Sequence, residues 1–254
     1  MPCMGANSGQ MGIGMMTVLK TVCAMAMLAS LPCPARAQTD DGAFDLLVLG
    51  IRAATVSFSA SRDGSAYAVT GRVQTTGLAA LVKRLRYDGA ATGTVAKGRY
   101  QPAKYSESAD TGRRQSDATV SYAKGVPSVT AYSPVVDATP DDVDPATMGG
   151  SVDPLTALYA TMRTVEKGVE CNLSLDLFDG KRASKLQVGA ANPAGVLVTC
   201  DGAYIRVQGF TAKEMAKQPR FPFTLTYAPT DTGQMQVVEV ISETIYGKVT
   251  LKRR

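Results

Sequence analysis

The chain has 254 residues, a formal net charge of +5, two hydrophobic or charged extremes avoided (45% hydrophobic, 19% charged), and no His or Trp. The missing His excludes Ser–His and Cys–His nucleophilic pairs and any imidazole metal site, and removes the commonest neutral-pH general base. So modest a charge does not point to a nucleic-acid partner.

Residues 1–37 read as a secretion signal. Lys20 is the one charge before Arg36, the run from Thr21 to Leu31 is apolar and too short to span a bilayer, and Ala35-Arg-Ala37 gives an A-x-A cleavage site before Gln38. The periplasm is the expected location. Losing Lys20 and Arg36 takes the charge from +5 to +3 and leaves Cys171 and Cys200 of the five cysteines. No later apolar run is long enough for a transmembrane helix. Residues 38–254 are expected to form one β-rich domain with its own core.

Period-two alternation dominates this region. Ala54, Val56, Phe58 and Ala60 share one face of a first strand, and Tyr67, Val69 and Val73 one face of a second. Ala118, Val120 and Tyr122 repeat the pattern. Asp63-Gly64, Asp88-Gly89, Lys124-Gly125, Asp179-Gly180 and Asp201-Gly202 are the predicted turns, since such pairs tolerate positive φ. Thr76 to Val82 is a candidate short helical turn. Residues 135–152 form one long irregular stretch rich in aspartate.

Asp153-Pro154 opens the stronger helix, with a capping carboxylate followed by proline at the first helical position. Leu155, Leu158, Tyr159, Met162 and Val165 form its apolar stripe, and Gly168 is placed to end it. Cys171 then leads into a strand carrying Leu173, Leu175 and Leu177, and Lys181 to Val188 returns from the Asp179-Gly180 turn. Further strands are predicted at 195–200, 203–208, 223–227 and 236–246, with Lys252-Arg253-Arg254 as a frayed tail. The total is about ten or eleven strands.

Several of these segments resemble a known family. Asp153-Pro-Leu-Thr-Ala-Leu158, Leu175-Asp-Leu-Phe-Asp-Gly-Lys-Arg182, Cys200 and Gln208-Gly-Phe210 look like the periplasmic domain-of-unknown-function family 3108 (DUF3108). Gly98-Arg-Tyr-Gln-Pro-Ala-Lys-Tyr105 and the strand and turn from Arg114 to Gly125 are similar too. The resemblance implies a fold like the lipoprotein-carrier half-barrels and transfers no functional residue. The expected fold is therefore mainly β (α+β): a curved antiparallel sheet or half-barrel wrapped around one main helix.

Candidate chemistry is sparse. Cys171 and Cys200 could form a disulfide worth about 3–4 kcal/mol. In a plain meander they lie two strand spacings apart, roughly 9–10 Å, whereas a disulfide needs about 7 Å or less between Cα atoms. Either Cys171 bends back from the strand lead-in, or the third strand pairs elsewhere, or the thiols are free. The aspartates of 137–144 lack the alternating pattern of a Ca²⁺ loop and read as solvated. The basic clusters at Lys83-Arg84-x-Arg86, Arg113-Arg114 and Lys181-Arg182 read as solvated faces that could also meet anionic lipid.

Phe58, Tyr67, Leu158, Tyr159 and Met162 could line a groove between sheet and helix, or could equally pack as core, which is the preferred reading. No catalytic or metal site and no cofactor is expected. The functional expectation is a non-catalytic cell-envelope protein binding a lipid or acylated ligand. The alternatives are a structural protein working through envelope-protein contacts and, less favoured, an unrecognised hydrolase.

Overall fold

The structure is a computed structural model and describes residues 38–254 apart from 83, 136, 245 and 246. The signal segment expected at 1–37 lies outside the described residues. The first group of strands is β1 (Gln38–Val48), β2 (Ile51–Asp63), β3 (Ala66–Thr75), β4 (Arg86–Ala96), β5 (Arg99–Asp110), β6 (Gln115–Ala123) and β7 (Val126–Ser133), with helix α1 (Gly77–Val82) between β3 and β4. Helix α2 (Pro154–Met162) follows. The second group is β8 (Leu173–Phe178), β9 (Ala183–Ala194), β10 (Leu197–Gln208), β11 (Arg220–Pro229), β12 (Met235–Thr244) and β13 (Gly247–Arg253), with helix α3 (Ala212–Lys217) between β10 and β11.

Among the described residues these thirteen strands make one antiparallel sheet, in the order β7-β6-β5-β4-β3-β2-β1-β13-β12-β11-β10-β9-β8. Two meanders are thus joined where the first strand meets the last. That seam pairs Phe44 with Arg253 and Val48 with Val249, so the C-terminal residues are a structural strand and not the frayed tail expected. Arg253 lies over the Phe44 ring at 4.8 Å, and its Nε donates to the Val237 carbonyl.

The sheet curls into a nearly closed barrel. Its two end strands, β7 and β8, do not pair with each other. The chain between β7 and α2 fills the gap: Val143 N–H donates to the Lys181 carbonyl, Gly150 N–H to Gly125, and Val152 bridges Leu177 in parallel. The long irregular stretch therefore closes the wall. Two of its aspartates are engaged locally. Asp142 accepts from the Thr139 amide and hydroxyl and faces Lys181 at 3.6 Å, while Asp144 caps a single turn of 3-10 helix.

Two predicted turns need correction. Lys124-Gly125 does turn a hairpin, as does Lys97-Gly98, which was not expected; both residues of each pair have positive φ, the geometry that matches strand twist. Asp88-Gly89 instead lies inside β4, and Asp201-Gly202 inside β10. Those glycines answer a demand for space. A Cβ on Gly202 would come within 2.4 Å of the Phe223 ring, and one on Gly89 within 3.3 Å of Leu155. The expected strand at 236–246 ends at Thr244, and β13 takes over from Gly247.

Helix α2 also departs from expectation. It ends at Met162, where Arg163 turns extended, well before Gly168. It is not a half-wet amphipathic rod. Leu155, Thr156, Ala157, Tyr159, Ala160, Thr161 and Met162 are all buried, and Leu158 is only partly so. A helix apolar on most sides is one enclosed by its protein. Tyr159 sits among three rings, with centroids 6.2 Å from Phe58, 6.2 Å from Tyr67 and 6.1 Å from Tyr100. Such edge and tilted contacts add to the area each ring buries.

The cysteine geometry is resolved in favour of a bond. Cys171 and Cys200 form a disulfide with Cα atoms 5.8 Å apart. Cys171 precedes β8, and Asn172 takes a left-handed φ of 64° while its N–H donates to Gly189. This bend carries Cys171 across β9 toward β10, whose register shifts between Cys200 and Gly202.

Candidate ligand cavity

The start of α2 is held by a buried polar chain. Asp153 is fully buried. One oxygen of its carboxylate accepts from the Thr156 amide at 2.8 Å and the other from the Thr156 hydroxyl at 2.6 Å. The Tyr67 hydroxyl lies 2.8 Å from the same Thr156 oxygen and, with the threonine proton spent on Asp153, donates to it. Strand β3 is thereby tied to the first turn of the helix.

Burial pushes the Asp153 carboxyl up to about 6, against the lowering influence of the Thr156 bonds. The usual value is 3.8. Because the folded value is the higher, protonation favours the fold. The contribution is complete below the usual value and is lost as pH rises through 6, a difference of about 3 kcal/mol at about 1.4 kcal/mol per decade. Asn caps helices as well as Asp but does not titrate. Urea unfolding should therefore show the stability difference between the natural protein and Asp153→Asn shifting toward the natural protein as pH falls from 7 to 4. A difference that stays constant across that range would remove Asp153 as the titrating group.

Beside this cap, helix and sheet leave a cavity of about 260 Å³. Pro154, Leu155 and Leu158 form its helix side, and Val73, Tyr87 and Tyr105 line it from the strands. Gly71 and Gly89 sit opposite each other on β3 and β4. Without side chains they leave room that Leu155 enters: a Cβ on Gly71 would come within 2.6 Å of its methyl.

Two carboxyls line this space: Asp88, ion-paired with Arg72 and Arg86, and Glu107. Glu107 alternates with Tyr105 and Ala109 along β5, so it faces inward, and its Oε2 accepts from the Tyr105 hydroxyl at 2.5 Å. Burial pushes its carboxyl above the ordinary range; the Tyr105 bond opposes that shift and the Asp179 charge adds to it. Burial likewise pushes the Tyr105 hydroxyl up, with the Glu107 charge adding to the effect. The Tyr122 hydroxyl is buried without a hydrogen-bond partner among the described residues, and burial and the Asp153 charge push it up too.

Of the five side chains expected along a groove, Leu158 lines this cavity. Phe58, Tyr67, Tyr159 and Met162 are brought together as core, each at most 5% exposed. Phe58 also borders a larger open depression of about 650 Å³ that shares Ser57, Gly71, Arg72, Asp88 and Gly89 with this cavity. Sequence reasoning missed Glu107, whose signal was legible: a carboxylate in step with Tyr105 and Ala109 on a strand. Among the described residues, no three His, Cys, Asp or Glu side chains converge to hold a metal ion, and no helix is long and apolar enough to cross a membrane.

Comparison with known proteins gives one family. The family described as "Protein of unknown function (DUF3108)" matches residues 43–243. No curated protein matches the chain. Among solved structures, a beta-barrel-like protein of domain of unknown function DUF1849 from Brucella abortus is 13% identical, with a TM-score of 0.43 over 85% of this chain and 95% of that one.

Proposed function

This chain belongs to the DUF3108 family of proteins of unknown function, and we propose that it is a non-catalytic, exported envelope protein that holds a lipid or acylated ligand. In this reading the sheet curves about α2, and the ligand's apolar part enters the cavity beneath the helix start. The observation that carries it is the cavity itself: mainly aliphatic and aromatic walls, with Ser57 and the Arg72–Asp88 ion pair also in its lining, and the Glu107 carboxyl raised by burial. Apolar sites with few polar groups are what such ligands require, and 260 Å³ is close to the smaller ligand pockets. The Glu107 carboxyl can make one further hydrogen bond to a ligand's polar head.

Binding without turnover is favoured by the same groups. Burial raises both the Glu107 carboxyl and the Tyr105 hydroxyl, and each is engaged by the other. A tyrosine held further from ionisation is a poor nucleophile at neutral pH. The rival reading, a structural protein acting through protein contacts, would draw on β7, the end strand of the sheet, which pairs only with β6 among the described strands. Pro127 and the register shift between Thr119 and Val120 interrupt that edge, as in edges guarded against strand addition.

Titration with a fluorescent long-chain fatty acid tests the proposal. Saturable binding is expected, and Leu158→Arg should weaken it by about tenfold or more, since a guanidinium beside Glu107 would fill the cavity and replace its apolar wall by charge. The same probe binding equally well to Leu158→Arg would place the ligand elsewhere, and no binding to the natural protein would end the proposal.

A further inference from the structure

We propose that one end of the barrel docks on an anionic lipid bilayer, through three neighbouring hairpin tips. Antiparallel order places the β1–β2 turn, the β3–β4 connection with α1, and the β5–β6 turn at the same end. The tips carry three large exposed apolar side chains, while most of the other exposed ones are single valines spread over the rest of the barrel, Val135, Val169, Val196 and Val207 among them. Leu49 is 69% exposed, Ile51 68% and Leu81 82%. Isolated exposed aliphatics are ordinary, but three at one end of a barrel form an interfacial pattern when cations accompany them.

The cations are there. Arg84, Arg113 and Arg114 are exposed on the second and third tips, and the tips adjoin. The Thr76 N–H donates to the Ala53 carbonyl, tying the α1 connection to β2. Gly112 packs so closely on the Arg84 carbonyl that a Cβ there would come within 3.1 Å. Two nearby carboxylates are each shared between two other arginines: Asp45 faces both Arg52 and Arg254, and Asp88 both Arg72 and Arg86. Asp110, which accepts from the Gly112 amide within its own turn, and exposed Asp117 offset part of the arginine cluster.

The position matters for the cavity. Val73 and Tyr87, which line it, are close to the ends of β3 and β4 that meet this connection. Tyr87 is 37% exposed. A bilayer seated on the tips would lie beside the cavity's edge, so an acyl chain could pass between membrane and protein with little exposure to water. That last step rests on the ligand-binding reading above; the docking itself does not.

Co-sedimentation with lipid vesicles tests it. The full chain should pellet with vesicles of equal parts phosphatidylglycerol and phosphatidylcholine, less so with phosphatidylcholine alone, and less as salt shortens the screening length from about 10 Å at 0.1 M. The pair Leu49→Ser and Ile51→Ser, and separately the pair Arg84→Glu and Arg113→Glu, should each lower partitioning by about tenfold or more. Arg99→Glu, on the opposite end, should leave it unchanged. All variants should keep the thermal midpoint and the fatty-acid binding of the natural protein. Failure to pellet, equal binding to both vesicle types, or full binding by both tip variants would overturn the docking. Vesicle binding with no fatty-acid binding would leave the docking standing and remove the proposed function instead.

Discussion

Replacing Cys171 and Cys200 together by alanine should lower the unfolding free energy by about 3–4 kcal/mol. The bond spans 29 residues of sequence and ties the lead-in of β8 to β10, across β9. Its main action is on the unfolded chain, which loses loop-closure freedom when cross-linked. Two observables should therefore move together in denaturant unfolding. The midpoint should fall, and the slope should steepen because the uncrosslinked chain exposes more surface. The natural protein under reductant should reproduce the variant. An unchanged midpoint would mean that the strand network alone holds the lead-in. In the native state the same bond shapes a second cavity of about 250 Å³, which Cys171 lines with Arg163, Glu170 and Tyr227, so the variant should also loosen residues 163–172 in hydrogen exchange.

Leu155→Ala should cost about 2–5 kcal/mol, the range for deleting a buried leucine whose surroundings cannot collapse. Collapse is blocked here by backbone. The methyls of Leu155 rest against Gly71 and Gly89 on adjacent strands, and a hydrogen-bonded sheet does not close a gap of that size. The vacated space adjoins the cavity that Leu155 already lines and should enlarge it. The variant should thus be less stable yet accept bulkier apolar ligands, and saturating fatty acid should restore part of its midpoint by mass action. Leu155→Met keeps the volume and should cost less than about 1.5 kcal/mol. If Leu155→Ala loses stability and its midpoint does not respond to fatty acid, the void is packing and not a ligand site.

Some of this architecture was legible in residues alone. Strands β2, β3 and β6 follow from alternation at Ala54–Ala60, Tyr67–Val73 and Ala118–Tyr122, and the helix start follows from Asp153-Pro154. Thr211-x-x-Glu214 is also readable as a capping box, which the structure forms at the start of α3. Asp-Gly pairs misled in proportion to their ambiguity. A glycine that turns a hairpin and a glycine that admits a neighbour's ring or methyl look identical in sequence, as Gly64 and Gly89 show.

Sequence by itself determined a β-rich chain with one well-capped helix, no imidazole chemistry and two cysteines able to pair, because alternation, capping residues and composition are local properties. Tertiary structure alone decided that β1 meets β13, that α2 is buried on nearly all sides, that Asn172 bends Cys171 within reach of Cys200, and that Glu107 faces a mainly apolar cavity. Each of those depends on which distant strands become neighbours. Closure of a long antiparallel sheet sets that through the sum of many weak registers, none of which is written in any single segment.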